Sequence, residues 1–260
     1  MFMFPGIHCY DTNEPMYSIT CPACGENALS YDQDNLFCTH CPIYHVRLPW
    51  YRKPLAWAEQ RYWWWRWPFL VFFVILLIDN IHNTSYSLNR LTDPLTALDY
   101  GIHELGHYIF EPFGQFMYIL GGSLFQCIFP LLWLIGFLQK RFYYAASLCW
   151  CWLGLNLFDV ATYVADARER MLPLKGPGTI AGFGLDEAES NAFYDRAHDW
   201  YQLLSRTGHL DSDLAIAHGL RVAAVTGFII GITLAGLLLA HMIKGSIKRS
   251  REKQNPSMLL

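Results

Sequence analysis

From Phe116 to Leu138 the chain runs without a formal charge, and that stretch excludes most soluble folds. A helix of this length can cross the apolar core of a bilayer, whereas in water its whole circumference would remain unburied. A second run, Phe142 to Ala165, stays uncharged until Asp159, and a third, Val222 to Ile243, precedes a tail rich in Lys and Arg. A fourth starts near Pro68 and turns polar toward Ser85 at Asp79, Asn80, His82 and Asn83. Polar groups at that depth either serve something or mark the level of the headgroups. Composition agrees: 53% hydrophobic and 16% aromatic residues, with 16% charged, describe an integral membrane protein that carries polar appendages. The run from Phe116 holds Gly121-Gly122-Ser123, Gln126 and Pro130, which predicts a span with a small-residue packing face. Asp93 to Phe110, closed by the Glu111-Pro112-Phe113-Gly114 break, is too short and too polar to span and predicts a helix dipping into the bilayer from one side.

The charge pattern is segregated beneath a net charge of -3. Arg47, Arg52, Lys53, Arg61 and Arg66 interleave with Trp50, Trp57, Trp63, Trp64, Trp65 and Trp67, the composition of a cytoplasmic interfacial belt. Lys140-Arg141 and the tail from Lys244 to Lys253 are two further basic clusters. One topology puts all three inside: both termini are cytoplasmic, and the His helix, the far end of the span with Asp159 and Asp166, and the loop around His198 face the outer side. The first twenty residues include Asp11 and Glu14 without a basic region or long apolar run, which predicts no secretory signal. The expected location is a bacterial inner or plasma membrane. The expected partners are the lipid bilayer and a protein or peptide substrate, with no nucleic-acid surface.

Within the dipping segment, Ile102-His103-Glu104-Leu105-Gly106-His107 sets two imidazoles one helical turn apart on one face. That spacing suits a single Zn²⁺, with Glu104 beside it as general base for a water made acidic by the metal. The alternative is a pair of histidines on a solvated helix face.

Cys21-Pro22-Ala23-Cys24-Gly25 and Cys38-Thr39-His40-Cys41-Pro42 repeat a CxxC knuckle at the spacing of a zinc ribbon. Four thiolates close a tetrahedral site and supply folding energy to a module too small for its own core. Two disulfides are the competing arrangement, and a cytoplasmic location disfavours it. His40 and His45 lie near enough to substitute as ligands, but four Cys leave them as bystanders. Cys9, Cys127, Cys149 and Cys151 read as free thiols.

A His-Glu-x-x-His helix among apolar spans, followed by a span bearing Asn156-Leu157-Phe158-Asp159 and Asp166, resembles the site-2-protease-like intramembrane zinc metalloproteases. The resemblance implies cleavage of peptide bonds in or beside membranes, with His103 and His107 as paired ligands, Glu104 as general base and an aspartate on a later span as third ligand. The ribbon lies outside it, and no Leu-Asp-Gly sequence stands at the family's carboxylate position. Three residues compete for the third ligand. Asp166 ranks first as nearest the membrane surface and His198 second, with Asp199 able to fix its tautomer. Asp159 ranks third, as a deep residue suited to orienting an imidazole. Asp159 and Asp166 are separated by roughly 10 Å of helical rise, so one metal cannot use both. Glu187 and Glu189 lack the Asp four residues on that another membrane metalloprotease class requires, and a di-iron hydroxylase needs more His clusters than the chain has.

The expected fold is mainly α: a polytopic helical membrane bundle of about four spans plus the dipping helix, with an N-terminal zinc-ribbon module. The expected divisions are a ribbon at 1–47, an interfacial linker at 48–67, a membrane metalloprotease-like domain at 68–243 with an extramembrane loop at 167–217, and a basic tail at 244–260. The expected function is that of a membrane-embedded zinc metalloendopeptidase with one catalytic and one structural zinc. The alternative is a non-catalytic membrane zinc protein, either a pseudoprotease or a ribbon-led binding module.

Overall fold

In a computed structural model of the protein, the described residues are 21, 23–25, 29–32, 35–41, 45–82, 96–172 and 198–254. Glu187, Glu189, Cys9 and the Gly-rich stretch before His198 lie outside them. The protein is mainly helical and divides into two compact units, one formed by 1–61 with 241–260 and the other by 62–240. The basic tail thus belongs with the N-terminal residues.

In the smaller unit, β1 (Leu29–Asp32), β2 (Asn35–Cys38) and β3 (His45–Arg47) form an antiparallel sheet in that order. The register pairs Leu29 with Cys38 and Phe37 with His45, so the second knuckle begins where β2 ends. Helix α1 (Lys53–Glu59) starts on Pro54, whose missing N–H costs nothing in a first turn. Its last carbonyls are met by the Arg249 guanidinium, which reaches the Glu59 and Arg61 oxygens.

In the larger unit, α2 (Trp67–His82) precedes α3 (Thr96–Phe110), α4 (Gln115–Gln139), α5 (Tyr143–Ala165) and α6 (Asp199–Thr207). Helix α7 (Asp213–Gln254) gives its residues up to Ala240 to this unit and the remainder to the smaller one. Three of the described helices, α4, α5 and α7, are long and apolar enough to cross a membrane. The run expected as a further span forms α2, whose sixteen residues rise about 24 Å, short of a hydrocarbon core of about 30 Å. Of its polar residues, Asn80 and His82 bond to carbonyls one turn back, at Leu76 and Ile78.

Helix α3 stops at a 3₁₀ turn, Glu111–Phe113, and Gly114 at φ 93° reverses the chain into α4, as the Glu-Pro-Phe-Gly break predicts. Despite Pro130, α4 continues as one helix. The core of this unit joins Phe73 and Leu76 of α2, Cys151, Leu155 and Phe158 of α5, and Ala224 and Phe228 of α7. Gly154 and Gly231 permit the α5–α7 approach, since a Cβ on either would collide with Phe228 or Cys151. A second cluster, Val160, Val164, Ala167, Leu204 and Ala217, seats α6 against α5 and α7.

Candidate metal centres

The four knuckle cysteines converge, with their sulfurs all within 4.8 Å of one another. Cys21 and Cys41 sulfurs are 3.6 Å apart, and those of Cys24 and Cys38 are 3.7 Å apart. A disulfide requires about 2.05 Å. A tetrahedral ion with S bonds of about 2.3 Å separates its sulfurs by about 3.8 Å, so the four cysteines could hold one metal. Burial pushes the Cys38 thiol up, but the backbone N–H groups of Cys41 and His40, at 3.3 and 3.4 Å, bring it down to about 6. Those two donors favour the thiolate form that a metal needs. His40 contributes its backbone N–H to that sulfur.

The second centre is built where α3 crosses α4. Gly106 and Gly121 are in backbone contact there, because a Cβ on either would run into the other's carbonyl. This close approach lets α4 hold both imidazoles from behind. His103 Nδ1 lies 2.7 Å from Gln126 Oε1, and His107 Nδ1 lies 2.8 Å from the Tyr118 carbonyl oxygen. Both facing atoms are acceptors, so each Nδ1 donates its proton and each neutral ring presents a lone pair at Nε2.

Those lone pairs meet Asp199. Its Oδ2 is 3.2 Å from His103 Nε2 and 3.4 Å from His107 Nε2. Two imidazole lone pairs and a carboxylate oxygen are all acceptors, and only positive charge among them satisfies all three. Imidazolium–carboxylate bonds would shorten to about 2.7–2.9 Å. Ligand bonds of about 2.0–2.2 Å in a tetrahedron place N and O about 3.3–3.6 Å apart; the 3.4 Å contact falls in that range and the 3.2 Å contact just below it. The donor set fits a divalent cation such as zinc.

Space for an ion comes from Gly122. A Cβ there would stand 2.5 Å from His103 Nε2 and 2.6 Å from His107 Nε2. The Gly121-Gly122-Ser123 run thus does three things: Gly121 admits α3, Gly122 leaves the cradle open, and Ser123 Oγ accepts the Trp200 indole N–H at 3.0 Å, tying α6 to α4.

Asp199 is delivered by the two residues that sequence reasoning ranked above every other candidate. His198 caps α6, its Nδ1 accepting from the Tyr201 backbone N–H at 3.2 Å. Its Nε2–H donates to Asp166 at 3.3 Å, and its ring stacks on Tyr163 with centroids 4.3 Å apart. Asp166 also accepts the backbone N–H groups of Met171 and Leu172. With both ring nitrogens engaged, His198 has no lone pair for a metal. The carboxylate against the His pair is Asp199, not Asp166. Asp159 lies behind the site, where its Oδ2 is 3.4 Å from Gln126 Nε2. Among the described residues, His103, His107 and Asp199 complete this ligand group, and Glu104 stands outside it. Glu104 is half-buried and shares a hydrogen bond with the Tyr100 hydroxyl one turn earlier.

Sequence reasoning treated Asp199 only as a partner for its neighbour and Gln126 only as part of a span. An amide inside an uncharged run is costly in lipid, and that cost was the available signal for Gln126. No protein-family model, curated protein or solved structure matches the chain.

Proposed function

We propose that the chain is a membrane-embedded zinc metalloendopeptidase that hydrolyses peptide bonds of membrane or membrane-proximal proteins. One observation carries this reading: one ligand atom each from His103, His107 and Asp199 lies within 4.8 Å of the other two, with Glu104 adjacent and outside the ligand group. His103, His107 and Asp199 would hold the zinc, which when bound would supply Lewis acidity for a water and a substrate carbonyl. The chain's own residues do the rest. Glu104 takes the proton from the attacking water and returns it to the leaving amine, so the proton count balances over one hydrolysis. The His103 and Asp199 side chains are each 15% exposed, which leaves an approach for substrate while limiting bulk water. The Cys21, Cys24, Cys38 and Cys41 cluster is a zinc ribbon, closed by four ligands and structural in role. Helices α4, α5 and α7 hold the protein in a membrane, with the His pair toward the outer side and α2 as a further, shorter membrane segment.

The test is Glu104→Gln in the purified protein. Zinc content and folding stay at the parent level, while cleavage of a substrate processed by the parent falls by about two to four orders of magnitude. His107→Ala releases the site zinc. Parental turnover by a zinc-replete E104Q protein overturns the mechanism and leaves a structural metal site.

A further inference from the structure

The residue behind His103 is a neutral amide rather than the carboxylate or backbone carbonyl that usually orients a ligating histidine. The reason lies on the far side of that amide. Gln126 is 2% exposed on α4, with His103 Nδ1 before it at 2.7 Å and the Asp159 carboxylate of α5 beyond it at 3.4 Å. His103 Nδ1–H needs an acceptor, and Asp159, when ionised, needs a donor. Among uncharged side chains of this reach, an amide presents an acceptor on one side and a donor on the other. A carboxylate at position 126 would face Asp159 acceptor to acceptor.

We infer that Gln126 is a positioning residue for the metal ligand His103, relaying the charge of Asp159 through its amide to fix the Nδ1–H tautomer and make Nε2 a stronger donor to the metal. This rests on the reading of His103 as a ligand. The amide orientation is fixed by that reading too, since metal at Nε2 leaves the proton on Nδ1 and requires Oε1 to face it. Polarisation along the relay adds to the basicity of the ring, because a dipole aligned by a carboxylate in a low-dielectric interior is worth more than the same dipole in water. Asp159 thereby acts on the site without approaching the metal. His107 has no such relay, since its Nδ1 meets the fixed carbonyl of Tyr118. Of the two imidazoles, His103 is the one whose donor strength side-chain chemistry can tune.

The experiment measures zinc affinity by chelator competition on the full-length protein in detergent, with His107→Ala marking which part of the signal belongs to this site. Gln126→Met, close in shape and apolar, weakens the site by about 10–100-fold and leaves the ribbon zinc untouched. Gln126→Asn keeps the polarity of the span but is too short to meet both partners, so it shows the same loss even if the Met variant does not fold. The double variant Q126E/D159N rebuilds the relay with its charge moved one residue inward, and it recovers affinity to within about threefold of the parent. Parental affinity in Q126M or Q126N overturns the inference. Weak binding that Q126E/D159N does not rescue also overturns it, because the loss is then one of packing. A H107A protein that keeps the full zinc complement instead removes the metal reading itself, an outcome distinct from either of these.

Discussion

The two clusters differ in how far the chain must travel to assemble them. The four cysteines fall between residues 21 and 41 on two knuckles joined through one hairpin, and the second knuckle turn aims the backbone N–H groups of His40 and Cys41 at the Cys38 sulfur. The second group joins α3 to α6, with Asp199 standing 96 residues after His103. It exists only because α4 grips both imidazoles and a His198–Asp166 pair pins the start of α6. A closed site with four like ligands carries its geometry in local spacing. The His/His/Asp group instead borrows its geometry from the surrounding fold.

That contrast breaks most sharply in the ribbon. On the proposed ribbon reading, replacing Cys21 and Cys24 with Ser removes a structural zinc of the kind whose apparent binding free energy is about 10–16 kcal/mol in zinc-finger peptides, and the N-terminal module unfolds. The site of α3 and α6 keeps its metal, because none of its ligands or supports comes from the cysteine module. Elemental analysis falls from two metals per chain to one, and limited proteolysis cuts within 1–47. Retention of both metals in that variant ends the ribbon assignment.

The next largest effect comes from one methyl group. Gly122→Ala places a Cβ 2.5 and 2.6 Å from the two Nε2 atoms. The imidazoles lie at the ends of flexible side chains and can swing away, a movement that costs folding little and destroys the ligand geometry. The expected result is loss of the site metal with unchanged helical circular dichroism and an intact ribbon metal. Gly121→Ala differs in kind, since its Cβ meets the Gly106 carbonyl and pushes α3 from α4, lowering the thermal midpoint as well.

This dependence on tertiary support explains what could be read from the sequence. The apolar runs at Phe116–Leu138 and Phe142–Ala165 predict α4 and α5 to within about a residue, because bilayer thickness and the loss of charge define both ends. The last run, expected to start at Val222, begins as helix at Asp213. Its early turns carry Asp213, His218 and Arg221 among apolar residues, which cuts the uninterrupted apolar run short. The His pair and the knuckles were legible because 3.6-residue and CxxC periodicities are local. The carboxylate beside the His pair was not: a ranking of Asp166, His198 and Asp159 by depth leaves out Asp199, which only packing turns toward the two imidazoles. Trp200, anchored on Ser123, turns one residue of His198-Asp199-Trp200 toward the metal group and another toward Asp166.

A smaller effect sharpens that division of labour. His198→Ala removes both the cap of α6 and the bond to Asp166, loosening the element that presents Asp199. Site-metal affinity drops by about 10–100-fold, the range seen when an orienting partner is lost. His198→Asn retains an oxygen that can cap the helix and loses only the bond to Asp166, so it falls between the parent and the Ala variant. Asp166→Asn weakens binding in the same direction as His198→Asn, since an amide accepts less strongly from Met171, Leu172 and His198. Chelator competition orders the four proteins. A complete loss of the metal in D166N, equal to that in D199A, would make Asp166 a ligand after all and reverse their roles.

The smallest effect belongs to a histidine that does nothing by its side chain. His40 sits inside the second knuckle, where sequence alone allows it as a zinc ligand. Yet the group that reaches the Cys38 sulfur is its backbone N–H at 3.4 Å, while the residue itself is exposed. His40→Ala keeps that N–H. The ribbon should therefore hold its metal at parental affinity, with a change in module stability of no more than about 0.5 kcal/mol, the range of an ordinary surface substitution. His103→Ala in the other site strips a ligand and with it the metal. The paired measurement, ribbon affinity in H40A against site affinity in H103A, asks whether the imidazole or the backbone defines each centre. Release of the ribbon metal by H40A would give that site a mixed ligand set and undo the contrast between a closed thiolate cage and an open histidine–carboxylate centre.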